Sequence, residues 1–222
     1  MLSQLLLGKK IDLVMLNVLL HPTYFPSIAT FVAIANAEKV ILEVCDNYQK
    51  QTYRNRMFIY DANGKLPLTI PVVYSQKNRQ LYKDIVISED ENWQDLHWKS
   101  IQSAYSNSPF FEFYEDDIKH LYTSKFKFLL DFNFKCLEAV YECLQIPLKY
   151  KTTEVFNKTL DNQYDCRFLV DNRKEIPQDF KPYVQVFDDK HGFIPNLSIL
   201  DLICNEGPNA MMYLESQQLQ LQ

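Results

Sequence analysis

Four groups of residues carry side chains of a type and spacing that could do chemistry. The first is His21, in the run His21-Pro22-Thr23-Tyr24-Phe25-Pro26. A neutral imidazole where a strand hands over to a loop can act as a general base or polarise a carbonyl, and the Tyr24 hydroxyl is close by to orient a substrate. Two prolines in five residues fix the backbone twice, so the loop is a stiff, preorganised platform. The ordinary counterpart is a histidine that ends a strand by donating to a backbone carbonyl. The second group is Arg54-Asn55-Arg56. Guanidinium forks match carboxylates and phosphates, so Arg54 and Arg56 could hold an anionic substrate that Asn55 helps to orient. Here the counterpart is surface ion pairing. The third is His97-Trp98-Lys99. His97 is a second candidate base, Trp98 offers a flat face for stacking, and Lys99 offers a cation if it faces a cleft. However, Trp93, His97, Ile101 and Tyr105 repeat every four residues on one helical face, which is also the pattern of a core histidine, and Lys99 lies off that stripe. The fourth runs from Asn196 to Pro208. Ser198, Asp201 and Asn205 recur at spacings of three and four as a polar stripe on an apolar helix. Such a stripe lines a cleft when it faces a sheet edge, and has no such role when it faces water.

The common catalytic signatures are missing. G-x-S-x-G, H-E-x-x-H, Walker A, GxGxxG and S-x-x-K all fail, and 4 glycines in 222 residues leave little room for a glycine-rich phosphate loop. The five cysteines (Cys45, Cys136, Cys143, Cys166, Cys204) form no CxxC pair, so no metal site is expected, and no cofactor is indicated. They read as free thiols in a reducing cytoplasm. A net charge of −5 with no clustered Lys and Arg argues against nucleic acid as a partner. No apolar run approaches the length of a membrane span, and the amino terminus lacks the order of a secretory signal. The expected partner is a small molecule, and the oligomeric state is not legible.

The elements that must position these groups follow from periodicity. Residues 12–20 are apolar with little alternation, which suits a strand buried on both faces. Ser27 is an N-cap for a short helix, and Lys39 to Cys45 reads as a second strand. Together they make a βαβ unit whose first loop lies at the carboxyl end of its strand, where open α/β sheets place ligands. Asp61-Ala62-Asn63-Gly64-Lys65 between two strand-like runs predicts a hairpin, with Pro67 and Pro71 pushing its second strand towards an edge. Asp84 to Ser88 reads as a further short strand. From Asn92, with Asp95 completing a capping-box-like pair, the pattern turns helical, and helices are expected over 110–122 and 124–145. Beyond Leu148 a strand is expected over Val184–Phe187, and a helix over Leu197–Glu206 capped by Asn196 and stopped by Gly207-Pro208. The fold class is thus α/β, a mixed sheet begun by a βαβ unit with a β-hairpin and a helical second half. One domain is expected over 1–222, sheet-rich to about 91, helical over about 92–147, mixed over about 148–215, with a frayed polar tail at 216–222.

In order and spacing, several of these segments resemble the WbqC-like family. They are His21-Pro22-Thr23-Tyr24-Phe25-Pro26, Tyr53-Arg54-Asn55-Arg56, Leu68-Thr69-Ile70-Pro71-Val72, His97 to Tyr105, Ser108-Pro109-Phe110-Phe111 and the Asn196 to Pro208 block. The resemblance covers about residues 13–213. Many members carry Gln where this chain has His21, and the stretch from Tyr150 to Tyr183 is shorter than in longer members. The family is largely uncharacterised and is associated with surface-polysaccharide (O-antigen) genes. The resemblance therefore implies aminoacyl (glycine) transfer onto an amino sugar, free or nucleotide-linked. In that reading His21 or His97 deprotonates the acceptor amine, and Arg54, Arg56 and Lys99 hold anionic groups. Tyr24, Asn55, Ser198 and Asp201 then orient the substrate. Two other readings stand beside it: a non-catalytic nucleotide or nucleotide-sugar binding module, and a nucleotidyltransferase-like enzyme.

Overall fold

The computed structural model describes residues 17–74, 79–89, 92–158 and 163–221. In chain order its elements are β1 (Asn17–Leu20), α1 (Ile28–Ala35), β2 (Lys39–Leu42), β3 (Arg56–Asp61), β4 (Gly64–Thr69), β5 (Val72–Val73), β6 (Val86–Ile87), α2 (Trp93–Tyr105), α3 (Phe111–Thr123), α4 (Leu129–Cys143), β7 (Lys151–Thr152), β8 (Gln163–Asp165), α5 (Asp188–His191), α6 (Ile199–Glu206) and α7 (Ala210–Ser216). The α/β class, the opening βαβ unit, the hairpin and the helical second half all stand. The strands nevertheless sort by direction. One sheet, in the order β7-β2-β1-β8, is parallel throughout, and the antiparallel pairs β3–β4 and β5–β6 are separate.

Val18, Leu19 and Leu20 are each 1% exposed, as a central parallel strand covered on both faces requires. Residues 12–16 of the expected strand lie outside the described residues. The Ser27 hydroxyl accepts from the Thr30 amide at 3.4 Å and caps α1. In the hairpin Asp61 pairs with Gly64, so the turn residues are Ala62 and Asn63, and Gly64 takes φ +104° to close it. The Asn-Gly signal therefore located the hairpin but sits one residue later than a two-residue Asn-Gly turn would.

Some boundaries moved for identifiable reasons. Helix α4 begins at Leu129 rather than 124 because residues 127–129 are drawn into bonding with the β6 segment. Ile87 N donates to Lys127 O and Leu129 N to Ile85 O. Asn92 makes no capping bond; its amide reaches Asp95 Oδ2 at 3.4 Å instead. The expected strand over Val184–Phe187 is irregular chain and turn. Its alternation is real, with Val184 exposed and Gln185 buried, but the Gln185 amide bonds Asp201 and Ile194 in place of a strand partner. Helix α6 is capped by Ser198, not Asn196. Asn196, at φ +54°, turns its Oδ1 across the chain to accept from Ala29 N at the start of α1. Over its described residues the polar tail is docked rather than frayed. Leu219 is buried, Lys181 N donates to Gln217 Oε1, and Gln220 N donates to Gln178 Oε1.

Candidate active site at the carboxyl ends of the parallel strands

All four parallel strands finish on one edge, so the residues that follow them converge. β1 is followed by His21, β2 by Glu43, β7 by Thr153, and β8 by Cys166 and Arg167. Backbone bonds hold the ends together: Glu43 N donates to Leu20 O, Thr153 N to Leu42 O, and Cys166 N to Leu19 O. From β1 the chain passes to β2 on one side and reaches β8 on the other, and a crevice opens at such a switch of direction. Here it has a volume of about 280 Å³ and is floored by His21, Asp46 and Arg54. Phe156 and Phe168 form a wall, with Gln49, Asp171 and Lys174 at the rim. A larger groove, about 450 Å³, lies beside Trp93 and Phe126, but Glu89 and Lys125 are the only charged residues lining it among those described.

The proline-bracketed elbow delivers His21, and the 52–55 turn delivers Arg54. Tyr24 N donates to Tyr53 O, which ties the two segments together, and Phe25 sits at φ +35° within the elbow. Behind them Tyr82 donates its hydroxyl to Pro22 O, while the Asn133 amide donates to Arg54 O and to the Tyr82 oxygen. Helix α4 thereby fixes both segments at once.

Arg54 is fully buried, and its Nη2 lies 2.9 Å from Asp46 Oδ2 and 2.8 Å from His21 Nε2. His21 Nε2 is also 3.1 Å from the same Asp46 oxygen. Nη2 carries hydrogens that a protonated Nε2 would oppose, so the assigned tautomer has Nε2 accepting from Arg54 and its proton on Nδ1. Burial, then the Arg54 charge, lowers the His21 pKa to about 4 against the opposing pull of Asp46, so the ring is neutral at neutral pH. Burial pushes the Asp46 carboxyl up, but its contact with His21 and the Arg54 charge outweigh it and hold the acid below its ordinary value. Three buried polar atoms of the cleft's own residues have no hydrogen-bond partner: His21 Nδ1 and Arg54 Nε and Nη1. Such groups are uncommon in folded proteins, and these three belong to two residues of one cleft.

Of the nine residues singled out from sequence, His21 and Arg54 line this cleft. Tyr24 leaves the same elbow in another direction, where its hydroxyl meets His97 Nδ1 at 2.9 Å and the Tyr122 hydroxyl at 2.7 Å. His97 is therefore set in an aromatic box, against the rings of Tyr24 and Trp93. Asn55 is buried and donates to Ile70 O, and Arg56 stands on the hairpin with Nε donating to Thr69 Oγ1. Lys99 is exposed and paired with Asp95 at 2.7 Å. Ser198 caps α6 and donates to Phe25 O. Asp201 is buried, accepting from Tyr183 at 2.5 Å and Gln185 at 2.8 Å. Asp46, Arg167 and Phe156, which do line the cleft, were not singled out. The strand-end rule that pointed to His21 after β1 applies equally to the residues after β2, and would have found Glu43 and Asp46.

A model of the WbqC-like protein family matches residues 21–175, a stretch that contains every residue lining the cleft. The chain belongs to the WbqC-like protein family. It is similar to the uncharacterized protein Rv1507c of Mycobacterium tuberculosis, at 26% identity over 235 residues covering 93% of this chain and 97% of that protein. No solved structure matches it. Among the described residues no helix is long and apolar enough to cross a membrane, and no group of three or more His, Cys, Asp or Glu is placed to hold a metal ion.

Proposed function

We propose that this WbqC-like protein is a small-molecule transferase that joins an activated glycine to the amine of an amino sugar, in the making of a surface polysaccharide. Glycine, sugar and polysaccharide come from the resemblance described above, while the position of the site comes from the cleft. The observation that carries the reading is the convergence of His21, Asp46 and Arg54 beside an open cleft at the strand ends.

In the reaction the amine nitrogen attacks the glycyl carbonyl carbon, a C–N bond forms, and the bond from that carbon to the leaving group breaks. The leaving group departs with the electron pair, and the amine proton passes to the His21–Asp46 pair. Asp46 Oδ1 keeps the lone pair that can take the proton, and the neutral His21 ring and the buried Arg54 hold that carboxylate in one place. His97 has no part in this step because it lies outside the cleft.

Turnover of an activated glycine with an amino sugar, measured in wild type and in His21→Ala, tests the reading. A positioned base contributes about 10²–10⁴ in rate, so His21→Ala, which removes the ring set against the Asp46 carboxylate, should lose at least about a hundredfold while still folding. Turnover in wild type that His21→Ala leaves within tenfold, or no turnover at all, removes the proposal. The exposed Phe156 ring at the mouth favours one alternative, a non-catalytic module that binds a nucleotide or nucleotide sugar by stacking. Binding of such a ligand without turnover supports that alternative.

A further inference from the structure

The charges that line the cleft are not the charges it offers to a ligand. Arg167 is already committed. Its Nε and Nη2 donate to the two oxygens of Asp165 at 2.8 and 2.7 Å, its Nη1 donates to Asn157 O at 2.8 Å, and Glu43 Oε2 lies 3.5 Å from Nη1. This guanidinium staples the 156–158 segment to the sheet and lies 5.2 Å from the centre of the Phe156 ring. Arg54 is sealed behind Asp46. Arg56 bonds across the hairpin and does not line the cleft. The Asp46 side chain keeps 13% exposure, close to the 10% of Arg167, but is less fully bonded. Its Oδ1 accepts only the Asn47 amide among the described residues, which leaves a lone pair for a ligand. Asp171 and Gln49 add acceptors at the rim, and Phe156, 43% exposed, adds an aromatic face. Lys174 is the one cation of the lining set that stands on an exposed residue, at the outer edge of the cleft.

A phosphate entering this cleft would meet the Lys174 ammonium at its edge, but inside it would face the Asp46 carboxylate, a buried Arg54 and an Arg167 guanidinium already bonded to Asp165 and Asn157. A ring bearing hydroxyl or ammonium donors on one side and C–H on its face would instead find acceptors and a stacking surface. The volume of about 280 Å³ is at the small end of ligand sites, which suits one ring rather than a dinucleotide.

We infer that Asp46 and Phe156 set the specificity of this cleft: Asp46 accepts from a donor on a neutral or cationic ring ligand, Phe156 stacks on that ring, and a phosphate group on the bound part is rejected. This rests on the cleft being the substrate site, and it deepens the transferase reading by assigning the ligand's charge and its two contacts.

The test uses the full chain and three probes, glucosamine, glucosamine 6-phosphate and inorganic pyrophosphate, with affinities from calorimetry or ligand-observed NMR. Glucosamine should bind more tightly than either phosphorylated probe. Asp46→Asn should weaken glucosamine about tenfold and remove the discrimination against phosphate, and Phe156→Ala should weaken it about tenfold while Phe156→Trp restores it. Because Asp46→Asn also removes a partner of Arg54, its melting temperature is measured alongside, and the exposed Phe156 pair carries the test if that variant does not fold. Tighter binding of either phosphorylated probe, no binding of glucosamine, or glucosamine affinity unchanged in the folded variants overturns the inference. Turnover separates the two proposals. Turnover with affinity indifferent to Asp46 and Phe156 sinks this inference alone, and the expected binding without turnover sinks only the transferase.

Discussion

Two histidines in this molecule share burial and basicity but differ in use. His21 and His97 are each 6% exposed, and burial is the first cause that lowers each imidazole to about 4. They differ in their neighbours. His21 contacts an ionised carboxylate and a guanidinium at the floor of an open cleft. His97 contacts the rings of Tyr24 and Trp93, and lines neither the strand-end cleft nor the groove beside Trp93. A depressed imidazole is therefore no marker of function by itself. The marker is a coupled charged partner with access to solvent.

The largest effect should come from removing the charge that holds the cleft together. Arg54→Ala leaves Asp46 without its buried counterion and empties a fully buried volume. Breaking such a pair from one side costs about 3–5 kcal/mol, which chemical denaturation should register. A loss below about 1 kcal/mol would mean that the cluster is not a structural unit. His97→Ala comes next. It removes a ring from the aromatic box and a partner from the Tyr24 hydroxyl, so stability should fall by about 2–4 kcal/mol. Ligand affinity at the cleft should change by less than about twofold in whatever fraction stays folded. Affinity that falls with His97→Ala and not with His21→Ala would reverse the comparison.

A smaller effect sharpens it through pH. The Asp201 carboxyl is raised to about 6 by burial, against bonds from Tyr183, Gln185 and Tyr105 that pull it down. An unfolded chain gives this group about 3.9. Between those values the fold keeps a proton that the unfolded chain has released. The contribution of Asp201 is therefore complete below about 4 and lost as pH rises through about 6. The two histidines act in the opposite sense. Lowered to about 4 from 6.5, they contribute fully above 6.5 and lose that contribution as pH falls towards 4. Asp201→Asn should thus be at least as stable as wild type at pH 7, by up to roughly 1–3 kcal/mol, with the gap closing near pH 4. A variant less stable at pH 7 would show that the carboxylate charge is stabilising. Lys99→Ala should do least. Its pair with Asp95 is an exposed helix pair worth about 0.3–0.5 kcal/mol, and cleft binding should not change.

Which parts of this were legible in the sequence follows from the range of the interactions. The βαβ unit, the hairpin and the ends of α1 and α6 rest on local signals: an apolar run, Ser27, Asn63-Gly64, Gly207. Strands β7 and β8 have two and three residues, and their identity comes from pairing with β2 and β1 rather than from any pattern of their own. The same holds for the site. His21 stood out through its two prolines, whereas Asp46 meets it across 25 residues, and Phe156 and Arg167 arrive only with the distant strands. The stripe of Ser198 and Asp201 was legible as polar, but the residues that bond it, Phe25, Tyr183 and Gln185, lie outside its own helix.

The most direct test follows the imidazole resonances of both histidines by NMR while glucosamine is added to the full chain. The His21 ring signals should move and saturate with ligand, and those of His97 should stay within their line widths. Movement of His97 with His21 silent would contradict the placement of the site at the strand ends.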